Sequence, residues 1–156
     1  MKYAILDCYT DEPAGLGVPP YLGTYPRYVA GYLNEDVDYL TIDDLRLWRK
    51  HNGKIKYIKP SQKTDITTYN LTTNCKNIPQ ILAETDTLIV VLGVHVPGKY
   101  LSAVPGTLHE IIPMIRDLNC RKILTGPAVF GTQLFGGRFY EKADLSVFDK
   151  VDYSMF

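Results

Sequence analysis

Apolar and polar positions along this chain alternate between two periods. Tyr3-Ala4-Ile5-Leu6-Asp7-Cys8 is a short apolar run that predicts a strand. Tyr25, Tyr28, Val29, Tyr32 and Leu33 then recur at helical spacing and predict one apolar stripe. Thr24 precedes that helix as a natural N-cap, and Pro26 falls in its first turn. Ala30 and Gly31 would keep one side thin for packing on a sheet, and the helix should fade near Asn34. Val37 to Ile42 alternates and predicts a second strand, after which Asp43 is expected to cap a short helix through Lys50. Thr87-Leu88-Ile89-Val90-Val91-Leu92-Gly93-Val94 is apolar on both faces, as a central parallel strand covered by helices must be.

The remaining elements are weaker. Residues 51–77 are rich in Thr and Asn and read as an insertion or polar edge, with strand candidates at Lys54 to Lys59 and Ile66 to Thr72 that would suit a hairpin. Asn77 and Gln80 have capping-box spacing, with Pro79 in the first turn. Thr107 and Glu110 repeat that spacing before Leu108, Ile111, Ile112, Ile115 and Leu118, where Pro113 is expected to kink the helix or shift its start. Lys122 to Pro127 predicts a fourth strand, Gly131 to Arg138 an irregular segment, and Ala143 to Phe148 a last short strand. Strand and helix alternate throughout. The expected fold is one α/β domain over residues 1–156: a doubly wound, mostly parallel sheet of about five strands in a flavodoxin-like three-layer sandwich.

In that architecture ligands bind beyond the carboxyl ends of the strands. The residues expected there are Asp7 to Tyr9, Gly93 to His95 and Gly126 to Phe130, with Asp7, Tyr9, Gly93, His95, Gly126 and Pro127 as the candidate ligand contacts. The segment after the first strand is unusually long and stiff for an α/β connection, which points to a binding role. It contains Gly15, Gly17, Pro19, Pro20 and Tyr21. It is neither G-x-G-x-x-G, since Pro20 stands where the third glycine belongs, nor a P-loop, since no Gly-Lys-Ser/Thr follows. It serves either as an ordered surface loop or as a backbone cradle for a bulky ligand or neighbouring domain. Tyr21 lies off the helical stripe, where it could stack on a ligand. His95 is either a ligand donor or proton carrier, or a strand-end histidine bonded to a carbonyl. Asp7 either receives a ribose hydroxyl or caps a nearby loop. Cys8 reads as a small buried hydrophobe, and His51 and His109 as helix-end or surface residues.

Composition narrows the classes. The formal net charge is zero, which gives no electrostatic case for nucleic acid or an anionic membrane. No apolar run approaches the roughly 18 to 20 residues that span a bilayer. Met1-Lys2-Tyr3 leads directly into a strand, so a cleavable signal is not expected. The three cysteines, Cys8, Cys75 and Cys120, are far apart and form no C-x-x-C, which argues for a reducing compartment, the cytosol. No Ser/His/Asp order, H-E-x-x-H, paired carboxylates or EF-hand loop is visible.

Two blocks carry a family resemblance. Asp11-Glu12-Pro13-Ala14, Gly17-Val18-Pro19-Pro20-Tyr21 and Tyr25-Pro26-Arg27-Tyr28-Val29-Ala30-Gly31 form one; Gly93-Val94-His95-Val96-Pro97-Gly98-Lys99-Tyr100-Leu101 with Leu124-Thr125-Gly126-Pro127 forms the other. Together they resemble the N-terminal part of a mostly archaeal group of uncharacterised radical SAM-type Fe–S oxidoreductases, and the last element resembles cobalamin-binding-like domains ahead of radical SAM barrels. The resemblance covers nearly the whole chain. It implies an accessory domain, non-catalytic alone, that helps bind a substrate or cofactor and faces a barrel on the same polypeptide. The parent enzyme would carry [4Fe–4S] and S-adenosylmethionine. This chain lacks C-x-x-x-C-x-x-C, so the barrel is absent and the chain reads as an N-terminal fragment of a longer enzyme. It also departs from the D-x-H-x-x-G of base-off cobalamin binding, with Tyr9 in the histidine position and Glu12 in the glycine position. The alternatives are a stand-alone nucleotide- or flavin-binding module and a small hydrolase or transferase using His95 and Asp7.

Overall fold

A computed structural model of the chain describes residues 1–9, 24–33, 36–51, 61–63, 66–68, 77–93, 106–131, 134–135, 138–139 and 142–154. Nine strands and four helices occur among them, in the order β1 Tyr3–Asp7, α1 Thr24–Leu33, β2 Val37–Thr41, α2 Ile42–His51, β3 Ser61–Lys63, β4 Ile66–Thr68, α3 Ile78–Glu84, β5 Thr87–Val91, α4 Leu108–Ile115, β6 Arg121–Thr125, β7 Leu134–Phe135, β8 Arg138–Phe139 and β9 Lys150–Val151. Five strands form one sheet in the order β2-β1-β5-β6-β9, and every pairing in it is parallel. Counting sheet strands alone, this is the 2-1-3-4-5 order of flavodoxin-like folds, with its topological switch between β1 and β5. The expected α/β fold is present. β3 with β4, and β7 with β8, are small antiparallel pairs outside that sheet.

The central strands are apolar because both faces are covered. β5 is buried at all five positions. One face, built on Ala4, Leu6, Leu40, Leu88, Val90, Leu92 and Leu124, packs against α2, α3 and α4. The other, built on Ile5, Ile89 and Val91, packs against Val29, Ala30 and Leu33 of α1.

Several boundaries differ from expectation. The α1 stripe is rotated: Tyr28 is 74% and Tyr32 90% exposed, and Val29, Ala30 and Leu33 face the sheet. Counting tyrosine as apolar caused the error, since its hydroxyl and ring are at home in water on a helix surface. Gly31 is exposed too and lies on no sheet contact. Tyr32→Ser will therefore change stability by less than about 0.5 kcal/mol, whereas Val29→Ala will cost about 1 kcal/mol; urea unfolding of the two variants measures the contrast.

Thr41, not Asp43, caps α2. Its Oγ1 accepts from the Asp44 N–H (3.2 Å), and Asp44 Oδ2 accepts from the Thr41 N–H (2.8 Å), a reciprocal capping box with Asp in the usual Glu place. Thr107 behaves as expected, its side chain accepting from the Glu110 N–H, and α4 runs on through the exposed Pro113. Asn77 makes no side-chain cap, and Gln80 instead bonds to Glu84 (2.9 Å). Ala143 to Phe148 is not a strand: Asp144 turns the chain by accepting from Ser146, and the edge strand forms at Lys150–Val151. The Gly131 to Arg138 segment is not wholly irregular, since it supplies β7 and the first residue of β8. Of the two strand candidates in 51–77, Lys54 to Lys59 lies outside the described residues, and the second corresponds to β4. Among the described residues no helix is long and apolar enough to cross a membrane.

Candidate functional site at the carboxyl edge of the sheet

The parallel strands deliver their last residues to one edge. Asp7 ends β1, Thr41 ends β2, and Val91 and Thr125 end β5 and β6. Beyond them the backbones interlock. The Cys8 N–H donates to Val91 O (3.0 Å), the Leu92 N–H to Thr125 O (3.0 Å), the Ala128 N–H to Leu92 O (3.2 Å) and the Gly106 N–H to Cys8 O (2.8 Å). Five of the expected site residues, Asp7, Tyr9, Gly93, Gly126 and Pro127, thus stand together on this edge. Gly15, Gly17, Pro19, Pro20, Tyr21 and His95 lie outside the described residues. Both segments that carry them are tied to the edge by connectivity, since residues 10–23 follow Tyr9 and residues 94–105 join Gly93 to Gly106.

Asp7 is only 1% exposed. Its Oδ1 accepts from the Tyr9 N–H (2.9 Å), and its Oδ2 accepts a short bond from the Tyr39 hydroxyl. Burial pushes the Asp7 carboxyl above its ordinary range, only partly opposed by the Tyr39 and Tyr9 bonds and the Arg27 charge. The sign is unusual for an aspartate. Its contribution to stability is full below the ordinary carboxylate pKa and is lost as pH rises through the raised value. Asp7→Asn cannot ionise; its amide oxygen can still accept from the Tyr9 N–H and its NH2 can donate to a reoriented Tyr39 hydroxyl, so its stability relative to the parent will grow as pH rises from the acid range to neutrality. A pH series of thermal melts checks this, and a gap that narrows towards neutral pH would contradict it.

Tyr9 has φ 59, the one described non-glycine residue in the left-handed region. The conformation is held from both ends, by the Asp7 bond to its N–H and by its hydroxyl donating to Asp43 Oδ2 (3.0 Å). Asp43 also accepts from Arg46 (3.3 Å), whose Nε and Nη2 grip both oxygens of Glu110 at 2.7 and 2.8 Å. Burial works against the Arg46 charge, and Glu110 with Asp43 outweighs it, raising the guanidinium above its ordinary value. The network joins the tip of β1 to α2 and α4. Sequence reading missed Tyr39, Asp43, Arg46 and Glu110. The Asp43-Asp44 pair in the first turn of α2 was a local hint, but Arg46 and Glu110 are 64 positions apart and share no motif.

The chemistry of this edge follows from its bonding. Cys8 is fully buried, and burial raises its thiol well above the ordinary value, so it is no nucleophile near neutrality. Tyr9 does not fit the part of a corrinoid ligand: the residue is 2% exposed and its hydroxyl is engaged by Asp43. Among the described residues no group of three or more His, Cys, Asp or Glu could hold a metal ion. What the edge provides is a stiff, hydrogen-bonded platform from which two long segments depart.

Over 152 residues the chain is 39% identical to an uncharacterised protein of Methanocaldococcus jannaschii, a match covering 94% of this chain and 23% of that protein. It is 32% identical over 152 residues to an uncharacterised protein of Archaeoglobus fulgidus, covering 96% of this chain and 23% of that relative. No family model matches the chain. No solved structure matches it. The chain spans about a quarter of the length of the curated relatives it matches, and is similar along nearly all of itself to one segment of each.

Proposed function

We propose that this chain is an accessory, cobalamin-binding-like α/β domain of a radical SAM-type Fe–S oxidoreductase, non-catalytic alone, that presents its carboxyl edge to a barrel on the same polypeptide and to the ligand between them. The observation that carries this reading is the disproportion of length: two relatives match this chain nearly end to end yet hold about three quarters of their residues elsewhere. The character of the edge supports it, because Asp7, Tyr9, Asp43, Arg46 and Glu110 spend their polar groups on one another, as a scaffold does. The Gly/Pro segment and residues 94–105 then supply the ligand-facing surface.

The test compares the 156-residue chain with the longer polypeptide of its reading frame, reconstituted without oxygen in iron and sulfide. The longer protein is expected to show [4Fe–4S] absorbance and to cleave S-adenosylmethionine under reduction, and the shorter to do neither. Substrate turnover by the iron-free short chain would sink the reading. Mixing with hydroxocobalamin addresses the corrinoid: a spectral change that His95→Ala abolishes assigns the ligand to His95.

The strand order favours one second reading, a nucleotide- or flavin-binding module, because flavodoxin-like sheets receive such ligands at the switch between their first and third strands. It requires that FMN, ATP or S-adenosylmethionine at about 100 times its Kd stabilise the short chain by roughly 2.7 kcal/mol.

A further inference from the structure

The two faces of the sheet are unequally covered. Among the described residues three helices, α2, α3 and α4, pack on one face, and α1 packs on the other. Right-handed winding explains the imbalance. The step from β1 to β2 runs in one direction along the sheet and puts α1 on its face; every later step runs the opposite way and builds the opposite face. Past β5, the α1 face is made by Arg121, Ile123 and Lys150: Arg121 and Ile123 alternate onto one side of β6, and Lys150 is the register partner of Ile123. Ile123 is half-buried, and Arg121 and Lys150 are exposed. Parallel sheets are covered on both faces.

We infer that this half-face, Ile123 between Arg121 and Lys150, is the docking surface for an amphipathic helix that follows β9 in the longer polypeptide, with an apolar stripe over Ile123 and acidic side chains against the two cations. The chain beyond β9 is set for it. Asp152 still bonds into the sheet, its N–H donating to Leu124 O (2.8 Å). Its carboxylate accepts from the Ser154 N–H (3.2 Å), as an N-cap accepts from the second residue of a helix, and from the Ser154 hydroxyl (3.1 Å). Asp144 and Ser146 make the same bonds inside the β6–β9 crossover, so the cap marks only a permitted start; because β9 is the edge strand, a helix after it turns back over β6 in the direction of the β1-to-β2 step, and right-handed winding lays a segment running that way on the α1 face. The relatives, in which the matched segment is 23% of the whole, have chain to spare for such a helix. A helix here closes the third layer over β6 and β9. It does not depend on iron, on S-adenosylmethionine or on any reaction.

The experiment places a thiol at the face. Ile123→Cys is made in the 156-residue chain and in the longer polypeptide, and iodoacetamide modification is followed at that peptide by mass spectrometry. The expected result is modification at least about tenfold slower in the longer protein, with or without reconstituted iron. Hydrogen exchange of the unsubstituted proteins is the second measurement, with the amides that follow Ser154 expected to slow in the longer protein. Equal rates in the two proteins overturn the inference. So does a reading frame that stops at Phe156, or protection that appears in the short chain as its concentration rises, which would assign the face to a second copy. Protection without any S-adenosylmethionine cleavage would leave this inference standing and remove the functional reading above.

Discussion

Gly126→Ala is expected to lower stability by about 3 to 5 kcal/mol, enough to cost roughly 10 °C in melting temperature or to leave little folded protein. Gly126 sits at φ 97 and ψ 178, a region essentially closed to side-chain-bearing residues. A Cβ there would collide with the carbonyl oxygen of Leu92 and press on its backbone carbon and nitrogen. That carbonyl cannot give way cheaply, since it accepts from Ala128 while the Leu92 N–H is held by Thr125. Two effects therefore add, a strained dihedral and a close approach between the tips of β5 and β6. Gly31→Ala is the control, because Gly31 lies exposed in α1 and a Cβ there would meet no atom within 4 Å. That change should gain about 0.5 to 1 kcal/mol through helix propensity. Thermal melts of the two variants should move in opposite directions.

Arg46→Met is the second large effect, with an expected loss of about 2 to 3 kcal/mol. The substitution keeps most of the side-chain volume but strands the Glu110 carboxylate that Arg46 grips with two nitrogens, and it takes one of its donors from Asp43, which is 3% exposed and keeps the Tyr9 hydroxyl. Arg46 and Glu110 retain side-chain exposures of 24% and 27%, so water softens the penalty below that of a fully buried pair. Adding Glu110→Gln to Arg46→Met should recover about 1 kcal/mol, because the stranded charge is gone. A double-mutant cycle in urea reads that coupling. If the double variant is as unstable as the sum of the singles, the pair contributes nothing beyond its separate packing.

Much of the frame is legible in the amino-acid sequence. The run Thr87 to Val91 has no polar face, and only a doubly covered parallel strand tolerates that. Thr107 and Glu110 announce α4 through local bonds, and local bonds can be read locally. The misreadings have physical sources as well. Tyr28 and Tyr32 are amphipathic, so their spacing marks a helix but not its inner side. Asn77 has the right neighbours for a cap but lacks the bond, and Gln80 finds Glu84 instead. At the carboxyl edge, strand logic alone places Asp7 and Gly126. The partners that hold the edge, Tyr39 across the sheet and Arg46 with Glu110 across two helices, are brought together only by tertiary packing, to which the linear pattern is blind.

The position of β1 has a consequence for synthesis. The first strand of the chain is an interior strand of the sheet, flanked by β2 and β5. Its neighbour β2 follows soon, but the bond from the Lys2 N–H to Asp86 spans 84 residues. A nascent chain therefore carries β1 with one row of N–H and C=O groups unpaired until more than half of the domain has left the ribosome. Such a row is a template for wrong partners, and closing it late makes folding slow relative to local topologies. A truncation that stops short of Thr87 should be sticky, however faithfully the strands it retains are written in its sequence.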